Sequence, residues 1–186
     1  RFFSVNVMGY AIMSNHFHLV LRYDPNESIH WDDEEVARRW CAVFNGLPFT
    51  DTHLGPTDPA DFSLAQSLRY HELLINQHRL QQCRAALGSL SRFMQHLKQP
   101  FAVWANHEDG CTGHLFEMRF YSGVLLDEGD LLSCMAYVDL NPVEANIATS
   151  LRAAQHTAIH ERLRVRRFNA EALEGYLAPL WVDDGE

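Results

Sequence analysis

Two histidines flank a phenylalanine in His16-Phe17-His18, inside the largely apolar run YAIMSNHFHLVLRY (10–23). Side chains alternate along a strand, so both imidazoles lie on one face. Burying two unpaired imidazoles costs desolvation free energy twice. A shared divalent cation gives them a common partner, and His is the commonest side-chain ligand for such ions. The alternative is a surface or hydrogen-bonded pair with no chemistry. A second group able to react is AYVDLNPVEAN (136–146). Tyr137 and Asn141 are four apart in a predicted helix, about 400° of turn, so they share one face some 40° apart. Asp130 and Cys134 fall along the same stripe, whereas Leu131, Met135 and Val138 mark the opposing apolar face. The alternative for Tyr137 is a half-buried ring with its hydroxyl in water. Other phosphate and acyl chemistries lack their signatures. A third alternating histidine is replaced by Val20, and there is no HExxH, Walker loop or GxSxG elbow.

These residues need elements to hold them. RFFSVNVMGYAIM is rich in β-branched and aromatic residues and predicts a strand. Met13-Ser14-Asn15 predicts a turn and HFHLVLRY a second strand, together an antiparallel hairpin. DDEEVARRWCAVFN predicts a helix with acids in its first turn, where the dipole favours them, and Val36, Trp40 and Phe44 as a buried stripe. GLPFTDTHLGPTDPADF predicts a loop, and SLAQSLRYHELLINQHRLQQC one further helix. Residues 27–85 thus form a helical insertion between core elements of one domain. The stretch 87–108 places Leu90, Phe93, Met94, Leu97, Phe101 and Trp104 at helical spacing, with Pro100 expected to kink or interrupt it. GHLFEMRFYSGVLL predicts a strand or strand pair. DEGDLLSCMAYVDLN predicts a helix that Pro142 should end near Asn141. The remainder predicts one or two surface helices and a frayed acidic tail. Strands and helices without regular βαβ alternation give an α+β class, an antiparallel sheet with packed helices.

At 186 residues and 47% hydrophobic, the chain can bury a real core. No run reaches the length of a membrane span, and no signal-peptide pattern occurs. Cys41, Cys83, Cys111 and Cys134 form no CxxC pair; free thiols in a reducing cytoplasm are expected rather than a disulfide framework or structural zinc. A formal charge of −9 opposes a general nucleic-acid coat. It leaves room for a local basic site, since Arg38-Arg39, Arg84, Arg92, Lys98, Arg119 and the tail ERLRVRRF are clustered.

Three pieces in order carry a resemblance to a known family. His16-Phe17-His18 matches the His-hydrophobic-His element of the HUH superfamily. GHLFEMRF (113–120) is similar to that family's glycine-to-arginine strand entry, and YVDLNPVEA to its tyrosine helix ending in Asn-Pro. Over about residues 4–24 and 88–148 the chain resembles the single-tyrosine transposases, most of all the REP-associated tyrosine transposases of the IS200-like group. The resemblance implies a ferredoxin-like or RRM-like core with a central antiparallel sheet. It implies a metal-dependent DNA strand transferase, often dimeric, acting on single-stranded or hairpin DNA in the cytoplasm. His16, His18 and Asn141 would hold Mg²⁺ or Mn²⁺, Mn²⁺ suiting two imidazoles better. Tyr137 would be the nucleophile, forming a 5′-phosphotyrosine, and Arg119 would contact phosphate. The family's first strand and helix precede the hairpin; this chain opens at Arg1 on strand-like sequence, so an N-terminal segment is expected ahead of it.

Two positions depart from the family pattern. Glu144 stands where many relatives carry a basic residue, which removes a phosphate contact and adds repulsion. Pro100 interrupts a helix that relatives keep regular. Three rival readings stay open: an inactive hairpin-DNA binder, a metal-dependent hydrolase of small phosphate esters that has no need of Tyr137, and a plain interaction domain without metal affinity.

Overall fold

The computed structural model describes residues 2–44, 58–117 and 119–166. Its elements are β1 (Val5–Ile12), β2 (Phe17–Tyr23), α1 (Asp33–Val43), α2 (Leu64–Ile75), α3 (Gln77–Leu87), α4 (Leu90–Glu108), α5 (Glu128–Glu144) and α6 (Ala158–Arg166). The class is α+β, with a two-stranded antiparallel sheet and six α-helices among the described residues. The chain divides into two compact units, one of Arg1–Val5 with Tyr23–Tyr121, the other of Asn6–Arg22 with Ser122–Glu186.

The first unit is helical, and α1, α2 and α3, from the 27–85 stretch, build its centre. α1 packs on α2 and α3, and α3 also meets α4 and the 3₁₀ turn Glu27–Ile29. Each helix start is chemically marked. Asp32 accepts from the Glu35 N–H at 2.6 Å ahead of α1, and Ser63 with Gln66 forms a reciprocal capping box at α2. Val36, Leu73, Leu80 and Leu87 are fully buried where the three helices meet. The buried face of α1 runs through Val36, Ala37 and Cys41, so the stripe expected through Trp40 and Phe44 is rotated to the rim, where those rings stack at 4.1 Å.

Several boundaries differ from expectation, each for a local reason. The single helix expected over 63–83 is two helices, because Asn76 leaves helical geometry (φ −99°, ψ 85°). Its side chain accepts from the Arg79 N–H at 3.0 Å, starting α3 on the residue that closes α2. α4 runs through Pro100 without a break. Only its first half reaches the core, through Met94, whereas Leu97, Phe101 and Trp104 are more than two-fifths exposed. The strand expected in 113–126 does not form among the described residues, which are irregular there with Tyr121, Val124 and Leu126 exposed. The loop expected at 46–62 lies largely outside the described residues, as does the acidic tail.

Arg84 fastens the first unit. From α3 it donates to the carbonyls of Ser28 (2.9 Å) and Trp31 and pairs with the Asp33 carboxylate at 2.7 Å. One guanidinium thus ties three points of the segment entering α1, with only 13% of its side chain exposed. Arg84→Met is expected to destabilise the protein by about 2–3 kcal/mol in urea unfolding, because two carbonyls and a half-exposed carboxylate lose a charged donor. Arg84→Lys should recover little, since an ammonium cannot reproduce the fork.

In the second unit α5 packs on the hairpin. Met8, Ala11, Val20, Met135 and Val138 form its core, with Leu131 and Cys134 against it. Cys134 therefore joins the apolar face, not the polar stripe expected for it. A Cβ at Gly9 would lie 3.5 Å from Val20 Cγ2 and 3.7 Å from Met135 Cε, so the helix sits close over the sheet. α5 also passes Pro142 and ends at Glu144. Its stop is a Schellman turn on Asn146 (φ 56°), with Asn146 N–H to Val143 O at 3.0 Å and Ile147 N–H to Pro142 O at 2.9 Å. α6 is tied back to β1. Ile12 N–H donates to His156 O at 3.0 Å, Ala11 and Thr157 form an antiparallel bridge, and Arg162 donates to Met8 O.

Candidate active site on the hairpin

The site is built wholly within the second unit. Val20 shares its sheet face with His16 and His18, and Val20 is the strand residue that Met135 and Val138 of α5 cover. The core contact that docks α5 therefore also brings that helix over the histidine pair. The imidazoles stand 4.9 Å apart, centroid to centroid, at 89°. The Tyr137 ring meets His18 edge-on at 5.6 Å and 78°. Tyr137 keeps 53% of its surface exposed, so its phenol is reachable from solvent.

The two imidazoles differ in surroundings. His16 closes the hairpin turn, its carbonyl accepting from Met13 N–H at 2.9 Å. Its Nδ1 lies 2.7 Å from Asn15 Oδ1. An amide oxygen only accepts, so Nδ1 carries the hydrogen, and in the neutral ring the lone pair is then on Nε2. His18 is half-buried, and its Nε2 is buried without a hydrogen-bond partner. Burial, and then repulsion from His16, pushes the His18 pKa down, which favours the neutral ring. Cys134, one turn before Tyr137, has its thiol pKa pushed up by burial and stays protonated. Tyr137 is thus the exposed hydroxyl group beside the histidine pair.

The residues present fit a divalent ion. An imidazole bound at about 2.1 Å through one nitrogen has its centre about 3.2 Å from the ion, so two rings can share one ion when their centres lie within about 6.4 Å. The separation of 4.9 Å is inside that limit, and the orphaned Nε2 of His18 is the donor such an ion would satisfy. No group of three His, Cys, Asp or Glu side chains converges among the described residues. A coordination shell on the pair would therefore be completed by amide, phosphate or water oxygens. Asn141 lies one turn beyond Tyr137 on α5, half-buried, its backbone carbonyl accepting from Ala145 N–H at 2.9 Å. No hydrogen bond joins its side chain to either imidazole.

The remaining candidates fall elsewhere. Arg119 belongs to the first unit, exposed on the irregular segment after α4. Of the basic tail, Arg164 pairs with Glu161 at 2.9 Å and Arg162 turns inward to Met8 O, so both act in the fold. Arg162 and Asp139 face each other, and burial raises the Asp139 pKa against the attraction of that guanidinium and the Ile159 N–H. The sequence reading missed this pair and Asn15. For Asn15 the signal was present, an amide directly before the first histidine. For Arg162 the signal was hidden in a run that reads as a solvated charge cluster.

Comparison of the chain with known protein families, with curated proteins and with solved structures finds no match. All four cysteines are free, and no helix among the described residues is long and apolar enough to cross a membrane.

Proposed function

We propose that this chain is a metal-dependent DNA strand transferase of the HUH single-tyrosine kind, acting on single-stranded or hairpin DNA. The observation that carries the reading is the meeting of His16, His18 and Tyr137, from the start of β2 and from α5, residues about 120 positions apart in sequence. With it goes a ferredoxin-like or RRM-like core, of which the hairpin and α5 are the part at the site, and a cytoplasmic place of action, with homodimer formation as in the family it resembles.

The chemistry follows from the groups in place. His16 and His18 would hold Mg²⁺ or Mn²⁺ through Nε2, with Asn141 as the third protein ligand. When bound, the ion supplies polarisation of the scissile phosphate and offsets charge in the transition state. Tyr137 Oη attacks phosphorus and loses its proton. The P–O3′ bond breaks, and the leaving 3′ oxygen takes up a proton to become a hydroxyl. The product is a 5′-phosphotyrosine, which conserves the bond energy, so a second 3′-hydroxyl can displace Tyr137 without another energy source. Arg119 is assigned a phosphate contact.

The test is a covalent-adduct assay. Single-stranded DNA containing the hairpins that flank the gene is incubated with the protein and Mn²⁺, then run on a denaturing gel. A shifted, EDTA-sensitive band is the expected result. Hairpin binding with no band would favour the inactive binder. Loss of both binding and band would overturn the reading.

A further inference from the structure

We infer that Asn15 is the positioning residue of the histidine pair: its amide oxygen holds His16 in the Nδ1–H form and turns Nε2 toward the site that His18 and Tyr137 share. The inference rests on the reading of His16 and His18 as ligands and adds a residue that this reading does not supply.

The free histidine side chain in water prefers its hydrogen on Nε2, the form in which that atom cannot ligate. A metal site using Nε2 of His16 therefore needs an acceptor at Nδ1. Asn15 Oδ1 lies there at 2.7 Å. The contact joins neighbours in sequence, and the turn makes it possible. Met13 N–H bonded to His16 O at 2.9 Å closes the chain around Ser14 and Asn15, a place where Asn is at ease. His18 needs no such help to present its own donor, because its Nε2 is buried without a hydrogen-bond partner. The pair is thus asymmetric, one ligand positioned by burial and the other by a hydrogen bond. Groups that hydrogen-bond the far nitrogen of a ligating histidine set its ring orientation and raise its basicity.

The experiment uses the whole chain in two states. Without metal, ¹⁵N NMR of the imidazoles at a pH where they are neutral reads the tautomer of His16. The wild type is expected to be mainly Nδ1–H and Asn15→Ala to revert to Nε2–H. With metal, Mn²⁺ affinity is read by the free-ion EPR signal. Asn15→Ala is expected to weaken it about tenfold or more, the usual range for such an outer partner being 10–100-fold. Asn15→Asp, which keeps an acceptor at the same reach, should restore it. Asn15 is exposed, so the fold, checked by circular dichroism, should not change. An unaltered tautomer or an unaltered Mn²⁺ affinity in Asn15→Ala overturns the inference alone. A wild type that takes up no Mn²⁺ overturns the ligand reading and the inference with it.

Discussion

Tyr137→Phe is expected to erase the DNA–protein adduct while leaving Mn²⁺ affinity and stability where they were. The substitution removes one atom. The ring that meets His18 at 5.6 Å remains, and the hydroxyl comes from a side chain 53% exposed, so the change in unfolding free energy should stay within about 0.5 kcal/mol. The effect on chemistry is of another order. Without Oη no phosphotyrosine forms, and the loss of nicking should be at least about 10³-fold. A hydrolase of small phosphate esters built on the same histidines would turn over unchanged in this variant. Persistence of DNA cleavage in Tyr137→Phe would therefore remove the nucleophile assignment and leave that rival in its place.

His18→Leu is expected to move function and stability in opposite directions. Leucine nearly conserves volume and packing, and it takes away a buried nitrogen that has no hydrogen-bond partner. An unsatisfied buried polar group costs about 1–3 kcal/mol. After allowance for the lost ring contacts with His16 and Tyr137, the metal-free protein should gain about 1 kcal/mol, measured by urea unfolding in EDTA. Mn²⁺ binding should fall by roughly 100-fold or more, since one of two strong donors is gone, and the adduct should vanish. A protein holds such a residue against its own stability where function requires it. A His18→Leu variant that is less stable than the wild type without metal would show that this nitrogen is satisfied in the folded state.

Much of the site could be read from the sequence because its cues are local. The period of two in β2 puts His16, His18 and Val20 on one face, and the period of 3.6 in α5 aligns Tyr137 with Asn141. Neither cue says that the two faces meet. That depends on Val20, Met135 and Val138 packing together, a contact without a sequence signature. The face of Cys134 was misjudged for a related reason. A small thiol is neutral in patterning, and its side was decided by what α5 found to bury. Proline misled twice, at Pro100 and Pro142, because each is accommodated within a helix held by other means. At α5 the true stop was Asn146 in the left-handed region. The strand expected in 113–126 had the right residue types, but β-propensity is a fit to a half-buried surface, and the described residues of that stretch are mostly exposed.

The break at Asn76 makes one amide oxygen responsible for a change of chain direction. Residues 64–87, if continuous, would make a rod about 36 Å long, whereas α1, with 11 residues, spans only about 16 Å. A straight rod of that length would overshoot so short a partner and leave its ends uncovered, whereas the break lets α2 and α3 each turn to pack on α1. The side chain of residue 76 thus chooses between a folded-back clasp around α1 and a strut that overshoots it. Asn76→Ala, which removes the cap and favours helix through the joint, is expected to lower the unfolding free energy by well over the usual ~1 kcal/mol of a lost cap. A loss of only that size would show that burial of Leu73 and Leu80 bends the chain without help from Asn76.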